Sequence, residues 1–134
     1  MGPRKVIIWL KKIYVESMQD NKDLEVALPE AISMVANGSR IMLFESSYSD
    51  VQLLSETFSI SEESVGIIDM NDFQVLNLHY GEEDGIKKIA GKFEGSVIVC
   101  PHGNTSRLMA ELLAKEGVKA YSLKGGIEGL LHRG

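Results

Sequence analysis

Two short apolar runs, Val97-Ile98-Val99 and residues 118–123, bracket an amphipathic stretch at 105–116. This arrangement restricts the fold more than any other part of the chain. The stretch reads as a helix with Leu108, Met109, Leu112 and Leu113 inward, stopped by Gly117. The runs on either side read as buried strands. Strand, helix and strand in that order imply a right-handed crossover in a parallel sheet. In open parallel sheets, ligands bind beyond the carboxyl ends of the strands. Cys100 stands at such an end, directly behind Val99.

The remaining segments continue the alternation. Residues 5–15 fit either a buried strand through Val6-Ile7-Ile8-Trp9-Leu10 or a helix that begins near Pro3. Residues 29–37 read as a short helix with proline in its first turn and Gly38 as its stop. Residues 40–44 read as a strand, and 50–58 as a helix with Val51, Leu54 and Phe58 on one face. Short strands are expected at 65–68 and 75–78, around the polar segment 69–72. A helix opening at Glu82 or Glu83 carries the stripe Ile86, Ile89, Ala90 and Phe93, with Gly95 ending it before a strand at 96–100. Gly125-Gly126 reads as a tight turn and 127–132 as a closing helix. At 134 residues the chain is long enough for one domain with its own core.

Cys100 is the only cysteine. A lone cysteine is most often a small buried hydrophobe, but the place where a strand gives way to a helix has its own chemistry. Backbone N–H groups and the positive end of the helix dipole meet the sulfur there and favour the thiolate. In the segment Cys100-Pro101-His102-Gly103-Asn104-Thr105-Ser106-Arg107 each residue has a reading. Pro101 biases Cys100 towards extended backbone and removes one N–H donor. Gly103 permits positive φ, so the loop can curl around the sulfur. N–H groups from His102 onward can converge into an anion nest. Thr105 or Ser106 can donate a hydroxyl or cap the helix. His102 can tune the thiolate or stand exposed, Asn104 shapes the loop, and Arg107 is a candidate anion contact.

Composition narrows the class. With 44% hydrophobic and 25% charged residues the chain has an ordinary globular balance. One cysteine leaves no internal disulfide and no cysteine-based zinc cage, and fits a reducing compartment. No apolar stretch approaches the roughly 18 residues of a membrane span. The early apolar run is shorter than a signal-peptide core, so a cytoplasmic location is expected. The net charge of −5 is uneven: residues 16–84 carry 15 acidic and 2 basic side chains. That balance disfavours nucleic acid as a partner and reads as a solvated acidic face or a docking surface for a basic protein. No metal or cofactor is called for.

The segment 100–106 resembles the active-site loop of rhodanese-like sulfurtransferases, and of small single-domain thiosulfate sulfurtransferases with a Cys-x-His-Gly-Asn-Ser-Ser pattern in particular. The likeness continues through Met109-Ala110-Glu111-Leu112-Leu113 and residues 118–127, covering roughly 96–131. The resemblance implies a three-layer α/β fold with a central, mostly parallel sheet and helices on both faces. It implies a rhodanese-like domain at 26–134 preceded by an extension at 1–25, an added strand or helix. It also implies a sulfurtransferase without a cofactor. Cys100 would take sulfane sulfur from thiosulfate or a persulfide donor and pass it to cyanide or a thiol. Residues 101–106 would form the substrate and persulfide loop.

The amino-terminal half differs from that family. Its members usually carry Asp-x-Arg after the first core strand, where this chain reads Phe44-Glu45-Ser46-Ser47, with Glu45 as the surviving acid and no arginine. Two other functions therefore stay open. A rhodanese-fold sulfur-relay or protein-interaction module would take sulfur from a partner protein with little thiosulfate activity. A cysteine phosphatase would need an arginine where Ser106 stands, to grip phosphate with its fork. Here the arginine comes one residue later, out of that register. His79 has no second ligand-like residue nearby in sequence and reads as structural or exposed.

Overall fold

The structure is a computed structural model that describes residues 24–44, 47–78 and 83–132. The expectations for 5–15, for Glu45 and for His79 lie outside the described residues. Five strands form one sheet: β1 (Glu25–Val26), β2 (Ile41–Leu43), β3 (Val65–Ile67), β4 (Val97–Val99) and β5 (Tyr121–Leu123). Their order is β1-β5-β4-β2-β3, and every neighbouring pair is parallel. β1 spans the boundary between residues 25 and 26. Its two residues are too few to carry a readable periodicity.

Among the described residues six α-helices, with a 3-10 turn at Glu62–Ser64, complete the architecture: α1 (Leu28–Ala36), α2 (Tyr48–Phe58), α3 (Met70–Leu78), α4 (Glu83–Gly91), α5 (Asn104–Lys115) and α6 (Gly126–Leu131). The period of two along each strand divides them between the faces of the sheet. Ile41, Leu43, Val97 and Val99 point to one side, where Ala31, Leu54, Phe58 and Ile127 of α1, α2 and α6 cover them. Met42, Phe44, Ile98 and Cys100 point to the other, under Leu76, Ala90, Met109 and Leu113 of α3, α4 and α5. The result is a three-layer α/β fold. Strands covered on both faces have no reason to alternate with polar residues, which is why β2 and β4 read as unbroken apolar runs. Each fully buried Leu, Ile or Met contributes about 1.5–3 kcal/mol relative to exposure. No helix among the described residues is long and apolar enough to cross a membrane.

Three expectations are corrected. Residues 75–78 are not a strand; they end α3, whose inward residues Phe73 and Leu76 are three apart on one face. Asp69 starts that helix, its carboxylate accepting the Asn71 amide at 2.8 Å. Leu108 is not inward, being 40% exposed, because the buried stripe of α5 runs through Ser106, Met109, Ala110, Leu112 and Leu113. α2 begins at Tyr48, ahead of residue 50. Ser47 caps it by accepting from the Asp50 amide, while the Asp50 carboxylate accepts the Ser47 amide.

The strand register also sets the ground beneath α5. Gly66, Met42, Ile98, Ser122 and Glu25 form one row across the sheet from β3 to β1. The row changes from apolar to polar as it passes from β4 to β5. Its polar end meets the first turn of α5, where Ser106 reaches Ser122 and Arg107 reaches Glu25.

Candidate active site

β4 delivers Cys100 to the edge of the sheet with its side chain on the α5 face, 1% exposed. The chain then turns through Pro101, His102 and Gly103 before α5 begins. Gly103 is the residue before the helix, at φ +90, and it has no side chain with which to cap. The cap comes from Cys100 instead. Its Sγ accepts the Gly103 amide at 3.0 Å and the Ser106 amide at 3.3 Å. Ser106 is the third helical residue, the one whose amide an N-terminal cap ordinarily satisfies. The sulfur therefore sits where a capping oxygen would, on the axis of the helix dipole. Of the N–H groups from His102 onward expected to converge, those of Gly103 and Ser106 do so, on Sγ itself. The expectation that Thr105 or Ser106 caps the helix gives way to a cap by sulfur.

A hydroxyl completes the surroundings. Ser106 Oγ lies 3.2 Å from Sγ and 2.6 Å from Ser122 Oγ, and both serines are buried. Each hydroxyl also lies within reach of the Gly103 carbonyl, at 3.3 Å and 3.4 Å.

The Gly125-Gly126 turn holds this loop from behind. The amides of Ile127 and Glu128 donate to the carbonyls of Cys100 and Pro101 at 3.0 and 2.9 Å. A side chain at Gly126 would sit 2.8 Å from the Gly103 nitrogen and 2.9 Å from the Pro101 carbonyl carbon. Gly126 also has φ +58. Only glycine allows so close an approach of two backbones at that angle.

The other residues of the segment stand at the rim. Asn104 is exposed and Thr105 half-buried in the first turn of α5. His102 pairs through Nδ1 with Glu128, whose other oxygen lies 3.7 Å from His132 Nε2. The guanidinium of Arg107 is taken up by Glu25 at 3.4 Å and Glu111 at 3.9 Å. At the register a phosphatase would need for arginine, Ser106 points inward to the sulfur. Among the described residues no group of three His, Cys, Asp or Glu side chains is placed to hold a metal ion.

Ser122, Glu25 and Glu128 were not singled out from the sequence. Ser122 carried a signal, as a hydroxyl inside the apolar run of β5. Ser106 carried another, since it lies three, four and seven residues before Met109, Ala110 and Leu113 and so belongs to their buried stripe. Glu25 and Glu128 had none, because their partners are fixed only by the tertiary fold. No protein-family model, curated protein or solved structure matches the chain.

Proposed function

We propose that this chain is a rhodanese-type sulfurtransferase, with a rhodanese-like domain at 26–134 and Cys100 as its persulfide-forming nucleophile. The observation that carries this reading is the seat of Sγ, which accepts two backbone amides at the start of α5. Donors fixed in that geometry stabilise negative charge on sulfur without reorganising. In the first half-reaction the Cys100 thiolate attacks the sulfane sulfur of thiosulfate. A new S–S bond forms, the old one breaks, and sulfite leaves with its electron pair. Cyanide or a thiolate then attacks the outer sulfur, and the Cys100 thiolate departs. Both steps are displacements at sulfur and need no outside oxidant, cofactor or metal. A reducing cytoplasm would keep the single thiol available between turnovers.

Intact-mass spectrometry after incubation with thiosulfate tests the reading. The expected result is a gain of one sulfur atom, about 32 Da, on Cys100, reversed by cyanide or dithiothreitol. An unchanged mass with thiosulfate and with persulfide donors alike overturns it.

A second reading is favoured by the rim. Arg107 and His102, two groups suited to attract a dianion, are both engaged by carboxylates. That supports a sulfur-relay module fed by a partner's persulfide, with slow thiosulfate turnover. Fast transfer from a cysteine desulfurase beside negligible thiosulfate activity selects the relay; the reverse selects the free-standing enzyme.

A further inference from the structure

We infer that Ser122, on β5 and outside the cysteine loop, is a positioning residue that acts on Cys100 through Ser106. This rests on the reading of Cys100 as the nucleophile. Three hydrogens, on Sγ, Ser106 Oγ and Ser122 Oγ, share one buried line that ends at the Gly103 carbonyl. With the thiol protonated, the line runs outward from the sulfur. Cys100 donates to Ser106, Ser106 to Ser122, and Ser122 to the carbonyl of Gly103. When the thiol proton leaves to water, the line has to reverse. Ser122 then donates to Ser106, and Ser106 donates to the sulfur anion.

The reversal explains why two serine hydroxyls are buried together in an otherwise apolar layer. Ser106 alone can donate either to the sulfur or to Gly103 O, at 3.2 and 3.3 Å, with little to choose between them. Ser122 at 2.6 Å decides the direction. A hydroxyl that accepts one hydrogen bond becomes a better donor in the next. Ser122 is delivered by the strand register, which pairs it with Ile98, two residues before the nucleophile on the same face.

The test measures the alkylation rate of Cys100 by iodoacetamide at fixed neutral pH, together with the ultraviolet absorbance of the thiolate. Neither needs a sulfur donor, so the inference about Ser122 and the sulfurtransferase reading can fail separately. Ser122→Ala is expected to slow alkylation about threefold to tenfold, the range of one ordinary hydrogen bond, and to lower the thiolate absorbance. In the Ser106→Ala background the same change is expected to do nothing further, because its path to the sulfur is gone. Ser122→Thr keeps the hydroxyl and is expected to recover most of the rate. Circular dichroism checks folding, and Ser122→Val, which matches Ser122→Thr in shape but lacks the hydroxyl, replaces Ser122→Ala if the alanine variant does not fold. An unchanged rate in Ser122→Ala, or an equal loss with and without Ser106, overturns the inference.

Discussion

The amide of Ile127 donates to the carbonyl of Cys100 at 3.0 Å, so the proposed nucleophile is held by α6. Glu128 does the same for Pro101. The loop and the Gly125-Gly126 turn are thus one backbone assembly, although 25 positions separate Cys100 from Gly125. It follows that the sulfur's position depends on residues that never touch it.

Gly126→Ala tests this dependence. The added methyl meets backbone on three sides at positive φ, and backbone cannot yield as a flexible side chain can. The expected loss is about 2–4 kcal/mol in urea denaturation, combining left-handed strain with overpacking, and persulfide formation falls with it. Gly117→Ala is the control. It too has positive φ, at +78, but nothing lies within 4 Å of the added carbon. Its cost is expected near 1 kcal/mol with the sulfur chemistry intact.

Cys100→Ser separates chemistry from architecture. The smaller oxygen can still accept the Gly103 and Ser106 amides, so the start of α5 keeps an acceptor. Thermal unfolding is expected within a few degrees of the parent, roughly a 1 kcal/mol change for a chain of this size. Persulfide formation and sulfur transfer disappear completely. Residual turnover would move the nucleophile away from the only cysteine.

The sequence was most legible where local pattern and tertiary role coincide. β4, α5 and β5 announce themselves through short apolar segments, a helical stripe and glycine stops, and all three are present. Residues 75–78 were misread because Val75-Leu76-Asn77-Leu78 is too short for its period to show. The helix is visible only when Asp69 is taken as its start and Phe73 is paired with Leu76. Leu108 reads as inward because leucine is apolar, but the buried stripe takes Ser106 and leaves Leu108 to solvent. At the site, Cys100 and Gly103 could be placed from the segment alone. Ser122 and Glu25 are placed by strand register and Glu128 by the packing of α6, which no local pattern encodes.

Arg107 supplies a negative prediction. Its guanidinium bridges Glu25 on β1 and Glu111 one turn along α5, both half-exposed pairs. Arg107→Ala is expected to lower stability by no more than about 1 kcal/mol, the upper range for such ion pairs. Thiosulfate kcat/KM is expected to change by less than about threefold, the equivalent of a surface-pair energy. A large rise in KM without loss of stability would mean that the arginine leaves its carboxylates to hold the donor.

Glu128 supplies a positive one. Its amide grips the cysteine loop while its carboxylate pairs with His102 at the rim, so a carboxylate stands beside the loop where the proposed function would bring an anionic donor. Glu128→Gln keeps the backbone contact and removes that charge. A unit charge about 4 Å away in bulk water is worth about 1 kcal/mol, so thiosulfate kcat/KM is expected to rise roughly threefold to fivefold. The gain should shrink as salt rises, since screening already weakens the repulsion that the mutation abolishes. An uncharged trisulfide donor has no charge to repel and should respond little. Equal gains for both donors, or a gain indifferent to salt, would assign the effect to loop geometry and remove charge from the account.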